Sequence, residues 1–284
     1  MLKFKKLTFL IALTVLVSCN EYQKVLNNGT ASDQYKMAVK LYETKKFAKA
    51  LRLFEKITPA YRGKPQMERI QFMVAQSNFN IKSYSLAGYY FDRFTKNYPK
   101  SSKKEEAAFL SAYSYKLASP TFSTDPTDTN KALEAFQNFI NTYPDSDKLE
   151  EANKHFKDLR YRLQKKYFEI AKTYYRTADF DMRNYRAAIQ AFDNLLGDFL
   201  GSEFKEEALY YRFKAAHDFV LKSTVRRKPE RVENAVAAYE KLLRNFPETQ
   251  YKEEVKEMLE RMKDEKVKAE EILAKREELT NTQK

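Results

Sequence analysis

The chain carries one cysteine and two histidines in 284 residues, so the side chains able to act as nucleophile, metal ligand or proton shuttle near neutrality are few enough to weigh one by one. His155 and His217 stand far apart in the sequence, and a zinc site needs three or four ligands at close spacing. Both read as helix-surface or packing residues. No glycine-rich phosphate loop, dinucleotide fingerprint or GxSxG elbow occurs. The acidic pair Glu105 and Glu106 recurs at equivalent places further on as "EEA", which reads as first-turn helix charge favoured by the helix dipole. The expectation is a chain without enzymatic activity, metal or diffusible cofactor. One reactive group is left, the thiol of Cys19.

Cys19 closes the stretch "MLKFKKLTFLIALTVLVSC", in which Lys3, Lys5 and Lys6 precede an apolar run from Leu7 to Val17. That run is too short to cross a hydrocarbon core about 30 Å thick, and it has the form of a secretory signal. Residues 1–18 are expected to be a cleaved signal peptide. Leu16, Val17, Ser18 and Cys19 resemble the bacterial lipobox, whose cysteine thiolate takes a diacylglycerol and whose α-amine, freed by cleavage, takes an acyl chain. Covalent lipid on Cys19 is the one addition expected, and several acyl chains anchor a protein stably where one does not. The lipobox implies a bacterium, and in a Gram-negative cell Asn20, unlike an Asp-type retention signal, implies the outer membrane. Residues 19–31 are polar, with Asn, Gly and Ser, and read as a flexible lipidated tether.

The formal charge is +13, and most of the excess lies between the tether and Phe246. Such a field suits anionic lipid, nucleic acid or an acidic protein surface, or is simply the solvated faces of helices. Nucleic acid is disfavoured, because the leader exports the chain and no reader motif appears. With 21 Phe and 20 Tyr, but only 5 Gly and 8 Pro, the composition indicates an all-α protein.

Those helices repeat. Ala50, Phe54 and Ile57 recur as Ala87, Phe91 and Phe94, as Ala132, Phe136 and Phe139, as Ala188, Phe192 and Leu195, and as Ala235, Tyr239 and Leu242. The spacing i, i+4, i+7 puts each triplet on one helix face, and the small residue lets a neighbouring backbone approach. Pro99, Pro144 and Pro247 follow at a fixed distance and are expected to stop the helix, with Arg62 and Leu200 where proline is expected in the other copies. The pattern resembles the tetratricopeptide repeat, at a period longer than its 34 or so residues. The fold class expected is an all-α tetratricopeptide-repeat solenoid of about five helical hairpins plus a C-terminal helix. Ser119 to Asn130 reads as a loop before a helix starting near Lys131, and Asp147 to Thr177 as one long helix projecting beyond its neighbours. A terminal helix after Pro247 is expected to cover the last hairpin.

A repeat stack of this kind offers a groove lined by the first helix of each hairpin. The frame places Tyr35, Val39, Tyr42, Phe72, Gln76, Phe79, Asn80, Phe109 and Tyr113 there, a surface suited to an extended peptide with aromatic side chains; alternatively, individual rings pack between hairpins. The leader, the hairpins and the segments "NYPKS", "TYPDS" and "NFPET" together resemble the BamD family of outer-membrane assembly lipoproteins. That resemblance implies a periplasm-facing scaffold of the β-barrel assembly machinery. Its partners would be unfolded barrel precursors, the periplasmic domains of the barrel-inserting subunit and accessory lipoproteins. The corresponding division is signal peptide 1–18, tether 19–31, substrate-groove repeats 32–144, complex-docking repeats 145–247 and charged helix 248–284. A lipoprotein of the same architecture supporting cell-envelope division or secretin and pilus assembly is the alternative.

Overall fold

The computed structural model describes residues 21–282; the signal segment 1–18 and Cys19 lie outside the described residues. Residues 21–28 form α1. There follow α2 (Ala31–Glu43), α3 (Phe47–Tyr61), α4 (Gln66–Asn80), α5 (Tyr84–Asn97), α6 (Lys104–Ala118), α7 (Thr127–Thr142), α8 (Leu149–Thr177) and α9 (Arg183–Asp198). The chain then continues with α10 (Lys205–Leu221), a 3-10 turn at Val225–Arg227, α11 (Lys228–Asn245) and α12 (Lys252–Thr282). No strand occurs among the described residues. The helices pair in sequence as α2–α3, α4–α5, α6–α7 and α10–α11, with α12 packed on α10 and α11, and α8 meets α9 where Phe168 lies edge-on to Phe192. They form two compact units, one ending at Leu159 and the other beginning at Arg160.

The repeated triplets fall on the second helix of every hairpin, and every member is buried except Tyr239, which is half-buried. That pattern fixes the tetratricopeptide-like register. The alanines are fully inaccessible, as close helix contact requires, and the rings beside them fill the space one turn on. Gly88 in α5 marks a close helix contact: a Cβ there would meet the Tyr115 ring of α6 at 2.8 Å, and its carbonyl accepts from the buried Ser111 hydroxyl at 2.9 Å.

The helix stops are less dependent on proline than their sequence suggests. Tyr98, Tyr143, Phe199 and Phe246 cap α5, α7, α9 and α11 with nearly one backbone conformation, φ near −130° and ψ near 70°. Phe199 adopts it although Leu200 follows. Three residues beyond each aromatic stands a hydroxyl, at Ser101, Ser146, Ser202 and Thr249, whose amide donates to the aromatic's carbonyl. Each hydroxyl accepts from the amide two residues on, at the start of the next helix, and donates back to the first helix of its own hairpin. The acceptors are Glu68 (2.6 Å), Glu105 (2.6 Å), Gln164 (3.1 Å) and Glu206 (2.6 Å). The first-turn acids thus do more than complement a dipole. They fasten the two ends of a hairpin together.

Three expectations are corrected. Residues 21–28 are helical rather than a loose tether: Tyr22, Val25 and Leu26 give them an apolar side, Tyr22 is buried against α3, and the Gln34 amide donates to the Val25 and Leu26 carbonyls. Helix α7 begins at Thr127, ahead of Lys131, because the Asp125 carboxylate accepts from both the amide (2.8 Å) and hydroxyl (2.6 Å) of Thr127. Helix α8 does not project as an unpacked extension: Ala152 and Leu159 are buried with Phe136 and Phe139, while Phe168 and Ala171 belong to the core of the second unit.

Candidate functional site

The first helices turn one face to their own hairpin and leave a second, adjacent face half-covered. In α2 the buried set is Gln34, Ala38 and Leu41; one residue round the helix come Tyr35, Val39 and Tyr42, all half-buried. Tyr35 stacks on Tyr61 at 5.3 Å and so is held within its own hairpin. Tyr42 lies edge-on to Phe47, and its hydroxyl donates to the Gln76 side chain, which joins α2 to α4.

Further along, Phe72 meets Phe91 and Phe94 edge-on at 5.8 and 5.3 Å. Asn80 is exposed, its amide donating to the Gln76 carbonyl at 2.7 Å. Phe79 reaches across to Tyr113 of α6 at 6.2 Å. Phe109 is a different case: it is buried against Phe136 and Phe139 and is taken up by hairpin packing. Tyr113 in turn touches the ring of His155 at 5.4 Å. His155 is a packing residue, wedged also against Phe136. Burial lowers its pKa and the Lys116 ammonium adds to that, with Glu151 opposing.

Three of these positions converge. Tyr42, Phe72 and Gln76 line a cleft of about 480 Å³ between α2, α4 and α6, together with Met73, Phe94 and a rim of charges. The rim is formed by Arg69, Lys103, Glu68 and Glu106. Glu68 is occupied by Ser101; Lys103 holds Glu106 at 2.8 Å and lies 5.8 Å from the Phe72 ring centre. Among the described residues Arg69 has only a loose partner, Glu43 at 3.9 Å, and its side chain is 57% exposed. An aromatic floor beside an under-committed guanidinium can take a ring and an adjacent carboxylate or carbonyl. Burial raises the pKa of the Tyr42 phenol, and Glu106 raises it further against Arg69, so the hydroxyl stays a donor. The rim charges were not separable in the sequence from ordinary solvated lysines and arginines.

The second unit presents a different surface. Tyr167, Ile170 and Tyr174 form an i, i+3, i+7 row on α8, each more than a third exposed, and Phe180, Met182 and Leu200 stand out at 92%, 42% and 77%. Beneath them the unit is tied by polar links: the Tyr175 hydroxyl donates to Asp218 at 2.7 Å, and Glu254 of α12 accepts from both Tyr210 and Lys214 at 2.8 Å. Burial and the Glu254 carboxylate push the Tyr210 phenol up to about 12, against the pull of Lys214. His217 is buried beside Asp218, with Nδ1 2.7 Å from its carboxylate. Among the described residues no group of three or more His, Cys, Asp or Glu is placed to hold a metal ion. Likewise, no helix there is long and apolar enough to cross a membrane.

A family model described as "YfiO: Outer membrane lipoprotein" matches residues 27–226, more than two thirds of the chain. No curated protein matches it.

Proposed function

The chain belongs to the YfiO family of outer-membrane lipoproteins, and on that premise we propose that it is a non-enzymatic scaffold for β-barrel assembly. In this reading the first unit receives unfolded barrel precursors, and the second docks the periplasmic part of the barrel-inserting subunit. The observation that carries the reading is the cleft of Tyr42, Phe72 and Gln76 with Arg69 and Lys103 on its rim. It fits the end of an extended chain that finishes in an aromatic residue: the ring lies on Phe72 and Tyr42, and the terminal carboxylate meets Arg69. The exposed row of Tyr167, Ile170 and Tyr174 on one face of α8 supports the docking half, because exposed apolar surface on a folded unit marks an interaction site. Lipid at Cys19 would hold the scaffold at the membrane.

Titration of the protein with a peptide copying the carboxyl terminus of an outer-membrane barrel tests the first half. Tyr42→Ala combined with Arg69→Ala is expected to weaken binding by at least tenfold, and amidating the peptide's carboxylate should do the same to the unaltered protein. Equal affinity in both experiments removes this cleft from consideration.

A further inference from the structure

The first hairpin has a net-basic end at the place where the chain leads back to Cys19. The Tyr22 ring lies 5.1 Å from the Lys49 ammonium, and its hydroxyl donates to the Lys49 carbonyl at 3.5 Å. Further along α1, the Leu26 carbonyl accepts from Lys56. Helix α1 therefore runs beside α3 in the same sense, with its amino-terminal end next to the α2–α3 turn. That turn and the first part of α3, Thr44 to Phe54, contain Lys45, Lys46, Lys49 and Arg52; Glu43 and Glu55 flank the stretch and Glu21 opens α1, while Lys24 and Lys56 keep the end net basic. Lys45, Lys46 and Arg52 are exposed, and among the described residues none of the four is paired to a carboxylate.

Chain geometry places this cluster close to any lipid carried by Cys19. The three residues from Cys19 to Tyr22 span at most about 10 Å when fully extended, and charges act across about 8 Å at physiological salt. A loose tether of a dozen residues would let the protein tumble away from the bilayer. The docked α1 removes that freedom.

We propose that the end of the first hairpin bearing Lys45, Lys46, Lys49 and Arg52 is a second membrane contact, resting on an anionic lipid surface beside the acyl chains. The contact orients the first unit, and with it the α2–α4–α6 cleft, relative to the bilayer. It rests on the lipoprotein reading and is independent of what the cleft binds.

The test uses the full mature lipidated chain in vesicles of phosphatidylcholine alone or of equimolar phosphatidylcholine and phosphatidylglycerol. With Cys19 acylated, Ala48→Cys supplies a single thiol on an exposed position of α3 for a nitroxide. Collisions of that label with a water-soluble nickel chelate report whether it lies against the headgroups. The label is expected to be shielded only in the anionic vesicles and released by high salt. It should also be released by the combined Lys45→Glu, Lys46→Glu and Arg52→Glu changes. Each basic residue at an anionic surface changes the docked population about fivefold, so losing three is expected to lower it by more than about a hundredfold. Equal collision rates in the two vesicle types overturn the proposal, as does shielding that survives both salt and charge reversal. A chain that fails to float with neutral vesicles overturns the anchor and the proposal together. One that floats with both while its label stays open to the chelate overturns the proposal alone.

Discussion

Replacing Thr249 by valine keeps the side chain's shape and deletes the hydroxyl that fastens the α10–α11 hairpin. Thr249 is 6% exposed, and it donates to the Glu206 carboxylate at 2.6 Å while accepting a long 3.4 Å bond from the Tyr251 amide. A hydrogen bond to a charged group contributes about 1.5–3 kcal/mol. Glu206 is half-buried and regains some hydration when released, so the lower part of that range applies, about 2 kcal/mol, or roughly a thirtyfold rise in opening of α10–α12. A chain of two compact units need not unfold in one transition, which makes native-state hydrogen exchange of α10–α12 amides the suitable assay. A double-mutant cycle with Glu206→Gln is expected to give a coupling above about 1 kcal/mol, since the two groups touch. The same substitution logic yields an internal scale. Ser202→Ala removes a buried bond to a neutral amide and should cost about 1 kcal/mol, and Ser146→Ala removes an exposed one and should cost less still. A loss below about 0.5 kcal/mol for Thr249→Val, or an equal loss for Ser146→Ala, would refute the reasoning.

The link between α10 and α12 should be pH-sensitive. Its hydrogen bond from Lys214 lowers the Glu254 pKa, with burial opposing and Tyr210 assisting, so the stability it contributes is present above the ordinary glutamate range and is lost as pH falls through the lowered value. Protection factors in α12, taken relative to the intrinsic exchange rate at each pH, should therefore fall on acidification, and Glu254→Gln should remove that step. Gly88→Ala should destabilise the first unit by about 1–3 kcal/mol in thermal unfolding although alanine is the better helix former, because the Tyr115 ring occupies the space. Lys82, at φ 64° after α4, adopts the left-handed conformation; Lys82→Gly is expected to raise stability by about 1 kcal/mol, read as a higher unfolding midpoint.

The repeat was legible because alanine and aromatic spacing reports directly on packing, and each triplet is buried where its period places it. Legibility failed where a side chain overrode composition. Asp125 extends α7 back into a segment rich in Pro and Thr, and Tyr22 with Leu26 docks a segment whose neighbours are Asn and Gly. Phe109 shows the limit of a face assignment: its helix has two apolar sides, and nothing short of the positions of Phe136 and Phe139 decides between them. Arg69 and Lys103 carried no distinguishing signal, since a rim charge and a solvated charge are identical in sequence.

The hydroxyl fastenings join residues separated by 33, 41, 38 and 43 positions along the chain. The contour between the joined atoms varies while the joint itself does not. In these four hairpins a hydroxyl just past the second helix is tied back to the first helix, and the length of chain between the joined groups is free to vary. The long helix α8 shows this most clearly: its partner for Ser202 is Gln164, more than a dozen residues in from its start.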